Sequence, residues 1–273
     1  MRGGVVVTGA STGIGRETAR VLAAHGFEVF GTVRRPADGE QLRAEGCTPV
    51  VMDVTDGASI HAARRSVTAA LGTRPLVALV NNAGVPAAGP LEFLPLDQLR
   101  HVLEVNVIGV VAVTQAFLPD LRLARGRIVN MSSVSGRVAM PFAGPYSASK
   151  FALEALSDSL RRELLTSGVK VIVIEPGSVR TPIWEKAAAP EALERYRDTP
   201  YAHALPLVRQ QALAGAQKGF PPSAVAAAVV QALTVARPPV RIVVVKRKLR
   251  FKVIQLLPDW LVDRFAARAM WRR

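Results

Sequence analysis

Strands alternating with helices along a 273-residue chain predict an α/β protein built on one doubly wound parallel sheet. Three observations carry this. The apolar run Val5–Val7 enters a glycine-rich turn, Thr8–Gly15, and Ala19, Val21, Leu22 and Ala23 then recur at helical spacing as far as His25 and Gly26. Further short apolar runs follow at 28–33, 49–52, 77–80, before Met131, at 170–174 and at 241–245, with helical stretches between them. No repeat, low-complexity tract or linker divides the chain, so residues 1–246 are expected to form one domain with right-handed crossovers.

Taken in order, the first strand, glycine turn and helix form the half of a βαβ unit that holds a pyrophosphate. Glycines let the backbone approach, and the helix N-terminus offers unpaired N–H groups. The alternative is a tight structural turn. The spacing is G-x-x-x-G-x-G at Gly9, Gly13 and Gly15, not the commoner G-x-G-x-x-G. The second strand, Glu28–Val33, runs into Arg34 and Arg35 with no acid at its tip. An acid there would bond a ribose 2′-hydroxyl and repel a 2′-phosphate. The guanidinium of Arg34, alone or with that of Arg35, suits the phosphate, which favours NADP(H) over NAD(H); the alternative is a solvated arginine pair.

Asp53 and Val54 follow the third strand, where Asp53 is also a candidate cap for the helix over 57–71. Asn81–Gly84 follows the fourth strand. Residues 95–119 read as one long apolar helix carrying Asn106, whose amide is costly inside a helix unless paired. Its most apolar part, 105–118, is broken by Asn106, Thr114 and Gln115, so no membrane span is expected.

The stretch Gly126–Lys150 carries the chemistry. Tyr146 and Lys150 lie four residues apart, on one helix face. An ammonium beside a phenol favours the phenolate, so Lys150 is expected to lower the Tyr146 pKa. A serine facing the pair would hold a carbonyl oxygen. Such a trio moves a proton but carries no hydride, so a redox cofactor is required.

With Thr8 in front, the glycine motif resembles that of the short-chain dehydrogenases/reductases. NNAG at 81–84, Asn106, Ser133, and Tyr146 with Lys150 match the family in register, and the serine precedes the tyrosine by thirteen positions. The resemblance covers residues 3 to about 245 and implies a Rossmann fold. It implies Tyr146 as general acid or base, Lys150 as its partner and a ligand of the nicotinamide ribose, Ser133 as the group that positions the substrate oxygen, and Asn106 as the holder of a relay water. The alternative for Asn106 is a core amide satisfying a kinked backbone. Implied cofactor residues are Gly9, Ser11, Gly13, Ile14, Gly15, Arg34, Arg35, Asp53 (to the adenine amino group), Val54, Asn82, Ala83, Gly84, Pro176, Gly177, Val179 and Thr181, besides Tyr146 and Lys150. Residues 182–222 are expected to be a substrate lid, mixing Trp184, Tyr196, Tyr201 and Phe220 with alanines and charges. The stretch 175–184, EPGSVRTPIW, and the basic tail look like the hydroxysteroid and retinol dehydrogenase branch, implying a bulky lipophilic alcohol or ketone. A 3-oxoacyl-thioester reductase and a non-catalytic nucleotide-sensing protein are the alternatives.

Composition agrees: 49% hydrophobic and 21% charged residues are globular proportions. The single Cys47 excludes an intrachain disulfide and, with four scattered histidines, offers no metal site; a cytoplasmic setting is expected, with no leader segment. The net charge of +14 would suggest nucleic acid, but it is concentrated late in the chain. Residues 241–273 hold ten Lys and Arg against two Asp and no groove-reading motif, so no nucleic acid is expected. The tail, 247–273, combines these cations with Trp260, Leu261, Val262, Phe265, Met270 and Trp271 on helix-forming sequence. It is expected either to touch the inner face of a membrane peripherally or to pack on the pocket or a partner subunit. The helices near 98–119 and 147–167 match those that pair subunits in the family, so a homodimer or homotetramer is expected.

Overall fold

The computed structural model describes residues 2–184 and 193–270, the side chains of 269 and 270 excepted. Seven parallel strands form one sheet in the order β3-β2-β1-β4-β5-β6-β7. They are β1 (Gly4–Val7), β2 (Glu28–Val33), β3 (Thr48–Val51), β4 (Leu76–Asn81), β5 (Arg127–Met131), β6 (Lys170–Pro176) and β7 (Arg241–Val244). All pairings are parallel, and the order reverses at β1, which pairs with both β2 and β4. A crevice opens beyond the carboxyl ends of strands at such a switch point.

The central strands bury both faces, and their period of two divides the core. Val5 and Val7 face α1 (Gly13–Ala24) and the late helix Pro222–Thr234, among Leu22, Val225 and Val229. Val6 faces the other side, with Ile60 and Val67 of α3 (Gly57–Leu71) and Val113 and Phe117 of α5 (Gly109–Leu123). A short α2 (Glu40–Ala44), after a 3-10 turn at Pro36–Gly39, was not expected; five residues are too few for a periodic signal.

The long helix expected over 95–119 is three pieces. α4 (Leu96–Leu103) leads into a π-helical turn, Glu104–Ile108, and then α5. The 28-residue span Leu96–Leu123 has the length and composition to cross a bilayer, but half of its most apolar 18-residue stretch is buried, and Asn106 and Thr114 are buried polar residues within the span. It is a core helix. α6 (Gly144–Glu163) starts with Pro145 in its first turn and carries Tyr146 and Lys150. α7 (Leu205–Lys218) lies in the expected lid, part of which, 185–192, lies outside the described residues. The lid closes on itself at its root: Val179 and Phe220 form a parallel bridge, with Arg180 N–H donating to the Phe220 carbonyl and Phe220 N–H to that of Ser178. The helix Pro222–Thr234 is α8. The tail forms α9 (Lys248–Ile254) and α10 (Asp259–Met270).

Candidate active site

One cavity of about 1630 Å³ opens over the carboxyl ends of the strands. Its lining includes every residue expected at the site except Asn106. Those residues come from turns far apart in the chain, and parallel strands ending at one edge bring them together.

The nucleotide end is a backbone cradle fixed by side chains. Thr8 Oγ1 accepts from the N–H groups of Asn82 and Ala83, each at 2.9 Å, and Asn82 Nδ2 donates to the carbonyls of Thr8 at 2.9 Å and Gly9 at 3.1 Å. The glycine turn and the loop after β4 are thereby locked together. Gly9 has φ +64° and a Cβ there would sit 2.8 Å from Ala83 Cα. A Cβ on Gly15 would collide with Asn82 Nδ2 and the Gly9 carbonyl, while Gly13, φ +59°, faces Thr181. The cradle fits a pyrophosphate on the α1 N-terminus.

At the second strand tip the two arginines differ. Arg35 is bidentate to Asp38, at 3.0 and 2.8 Å, so its guanidinium is committed. Arg34 lines the cavity, is exposed and makes no ion pair among the described residues. Both arginines expected at a 2′-phosphate line the cavity; Arg34 is left open to it, while an acid three residues on holds Arg35. Asp53 also lines the cavity and does not cap α3; Asp56 does, accepting from Ala58 N–H at 2.9 Å. Hydrogen bonds from the Thr55 N–H and hydroxyl hold the Asp53 carboxyl below the usual range.

The reacting end is set by β5, the turn after it, and α6. Ser133 Oγ accepts from Ser135 N–H at 3.1 Å and donates to the Pro176 carbonyl at 3.5 Å, and Ser133 and Tyr146 both line the cavity. Ser132 also lines the cavity, with its buried hydroxyl toward Gly136 and without a partner among the described residues. Lys150 is buried, donates to the Met131 carbonyl at 2.8 Å, and stands 5.6 Å from the centre of the Tyr146 ring. Burial pushes the Lys150 ammonium down to about 8, opposed by the nearby Glu154 carboxylate. Burial also raises the Tyr146 phenol, partly offset by the nearby Ser133 hydroxyl. The direction is opposite to the lowering expected from Lys150: burial of the phenol raises it, and Ser133 is the group that opposes the rise.

Asn106 lies beneath this pair. Its Oδ1 accepts from Val85 N–H at 2.8 Å, and its Nδ2 donates to the Val85 carbonyl and to Ser149 Oγ, each at 3.0 Å. A Cβ on Gly84 would lie 3.2 Å from Asn106 Oδ1 and 3.8 Å from Lys150 Nζ, so both converge on that glycine. Sequence reasoning missed three polar side chains in this layer. Ser149 anchors Asn106, while Asn130 accepts from Asn81 Nδ2 at 2.9 Å and donates to Ser157 Oγ at 2.8 Å, tying β4 and β5 to α6. Ser149 and Ser157 share a helix with Lys150, at spacings of one and seven residues; Asn130 sits inside an apolar strand run, which is itself a signal.

The remaining walls are apolar: Val85, Ala88, Met140, Phe142, Ile183, Trp184, Val208 and Ala212, with Gln211 among them. Trp184 Nε1 donates to the Val179 carbonyl at 2.7 Å and its indole lies against Gly215 of α7.

A family model described as short chain dehydrogenase matches residues 4–192. An NADPH-dependent 3-dehydrocapnine reductase from Ornithobacterium rhinotracheale is 37% identical, over 95% of this chain and 94% of that protein. Retinol dehydrogenase 16 from Mus musculus is 43% identical over 67% of this chain, a match spanning only 59% of that protein. A short-chain dehydrogenase/reductase from Burkholderia phymatum, solved in complex with NAD, superposes with a TM-score of 0.80 at 25% identity, covering 96% of this chain and 95% of that one.

Proposed function

The chain belongs to the short-chain dehydrogenases/reductases, on their hydroxysteroid/retinol-like branch, and is an NAD(P)(H)-binding oxidoreductase; from this premise we propose that it reduces a bulky lipophilic ketone with NADPH. The observation that carries the reading is the convergence of Ser133, Tyr146 and Lys150 on one cavity, set where the glycine cradle meets an apolar slot. When bound, the cofactor supplies the hydride. Ser133 orients the carbonyl oxygen, and Tyr146 donates its phenolic proton there as the oxygen gains charge. Burial that raises the Tyr146 pKa keeps the phenol protonated at neutral pH, which suits reduction. Lys150 holds a positive charge behind the phenol as it loses its proton. Asn106 seats a water below Lys150 with the second lone pair of its amide oxygen, returning the proton.

Preference for NADPH rests on Arg34, which lines the cavity with Asp53, makes no ion pair among the described residues and is suited to a 2′-phosphate. Subunit pairing through α5 and α6 is part of the proposal, since Ile108 just before α5, and Phe151 and Leu156 on α6, are exposed apolar side chains. Light scattering at micromolar concentration should give a dimer or tetramer mass, and a monomer would remove that part. The function itself is tested by supplying NADPH or NADH with a panel of steroid, retinoid, acyl-thioester and small soluble ketones. Turnover is expected with NADPH and the lipophilic ketones. Preference for an acyl thioester, or cofactor binding with no turnover, would overturn it.

A further inference from the structure

The end of the chain is the part that the fold explains least. No residue from Lys246 to Arg268 is buried, although α9 and α10 are helices of seven and twelve residues. Helices this short are marginal in water without packing on an apolar face. Leu249 and Val253 lie one turn apart on α9, and Leu256 follows three residues later; they are 76%, 47% and 85% exposed. Phe251, Ile254 and Leu257 are turned away from this stripe and are half-buried. On α10, Trp260 is 64% exposed. The outward stripe is thus a second apolar face beyond the one that meets the protein.

Charge identifies what covers it. From Lys246 to Arg268 there are seven Lys and Arg against Asp259 and Asp263, and Lys248, Arg250 and Lys252 alternate with the stripe. Interface cores between protein subunits are depleted in charge, and in Lys above all, whereas a lipid surface rewards apolar side chains ringed by cations. Packing over the pocket is not observed, since no described tail residue lines the cavity. The segment leaves the sheet at the cleft end: Val244 pairs with Pro176, Val245 lies against Gly177, and Lys246 Nζ donates to the Lys218 carbonyl at 2.6 Å beside Phe220 at the lid root.

We propose that this segment is a docking surface for an anionic lipid bilayer, with Leu249, Val253, Leu256 and Trp260 entering the acyl boundary and Lys248, Arg250 and Lys252 meeting lipid phosphates. Docking there sets the lid side of the cleft beside the lipid. The further consequence, that the ketone is taken from the bilayer, rests on the reading of a lipophilic substrate above.

The test uses the full chain without substrate, sedimented with vesicles of phosphatidylcholine alone or mixed with phosphatidylglycerol, at low and high salt. Sedimentation is expected only with the anionic vesicles, with release by salt. Lys248→Gln with Lys252→Gln should weaken binding by about fivefold per cation removed. The triple change Leu249→Asp, Val253→Asp, Leu256→Asp should abolish it, with NADPH titration and the melting temperature confirming an intact fold; if the triple variant does not fold, the lysine pair, fully at the surface, decides. No sedimentation, equal sedimentation with neutral vesicles, or unchanged binding by the lysine variant overturns the proposal. So does a fall in solution mass of the variants without vesicles, which would assign the face to a second copy. A chain that binds vesicles but reduces no ketone would remove the substrate reading and leave the docking surface standing.

Discussion

The two ends of the cleft are held by different forces. At the nucleotide end, side chains hydrogen-bond to backbone: Thr8 and Asn82 clasp the glycine turn, and Asn106 clasps Val85. Directional bonds of this kind require one residue type at one place, and removing one leaves a buried group unpaired at about 1–3 kcal/mol. At the substrate end the contacts are apolar and between rings. Trp184 lies against Gly215, and Phe142 and Phe93 meet Tyr201 edge-on at 5.8 and 6.1 Å between ring centres. Such walls tolerate exchange of one apolar side chain for another when volume is kept. The difference teaches that this molecule fixes its cofactor by bonding and its substrate by shape.

The largest expected effect lies at the junction of the two ends. Tyr146→Phe removes the proton donor and keeps the ring, so turnover should fall by about 10²–10⁴-fold with NADPH affinity unchanged. Stopped-flow reduction beside a fluorescence titration measures both, and a near-normal rate would break the division of labour altogether. Next is Arg34→Asp. Losing a charge-assisted bond and gaining a repulsion should weaken NADPH by about tenfold to a hundredfold and leave NADH little changed. The contrast sharpens with Arg35→Ala, which should do much less because Asp38 already occupies that guanidinium; equal losses in the two variants would refute the assignment.

Lys150 gives a pH test of the same junction. Its ammonium is lost as pH rises through about 8, so kcat/KM for NADPH at saturating ketone should be level below that pH and decline above it, by up to about tenfold per unit. A profile flat to pH 10 would mean that the charge is not needed. The smallest effect is expected at the far wall. Trp184→Phe keeps much of the volume but loses the bond to the Val179 carbonyl; KM for bulky ketones should change a few-fold while NADPH affinity holds. A parallel loss of cofactor affinity would show that the two ends are coupled through Val179.

Much of this was legible in the residues themselves. The strands, the glycine cradle, the helix bearing Tyr146 and Lys150 and the choice of Ser133 follow from period, spacing and a family motif, and the structure places them at one cavity. The misses have local causes. The π turn at Glu104–Ile108 leaves the apolar period of its helix nearly intact, so it reads as straight helix. Asp38 captures Arg35 through a 3-10 turn, and Asp56 rather than Asp53 caps α3; each depends on where a short polar side chain points.

By itself, then, the sequence determined the alternation of strands and helices, the turn chemistry of the cradle and the identity of the proton-handling groups. Each depends on residues near in the chain or on a motif that demands a single residue type. Only the tertiary structure decided the direction of the Tyr146 shift, which arginine is left for a phosphate, the Asn81–Asn130–Ser157 layer and the bare stripe on α9. The arginine choice depends on how a 3-10 turn sets Asp38 against Arg35; the others depend on burial and on partners tens of residues away, and desolvation is a property of the packed surroundings that no stretch of chain carries alone.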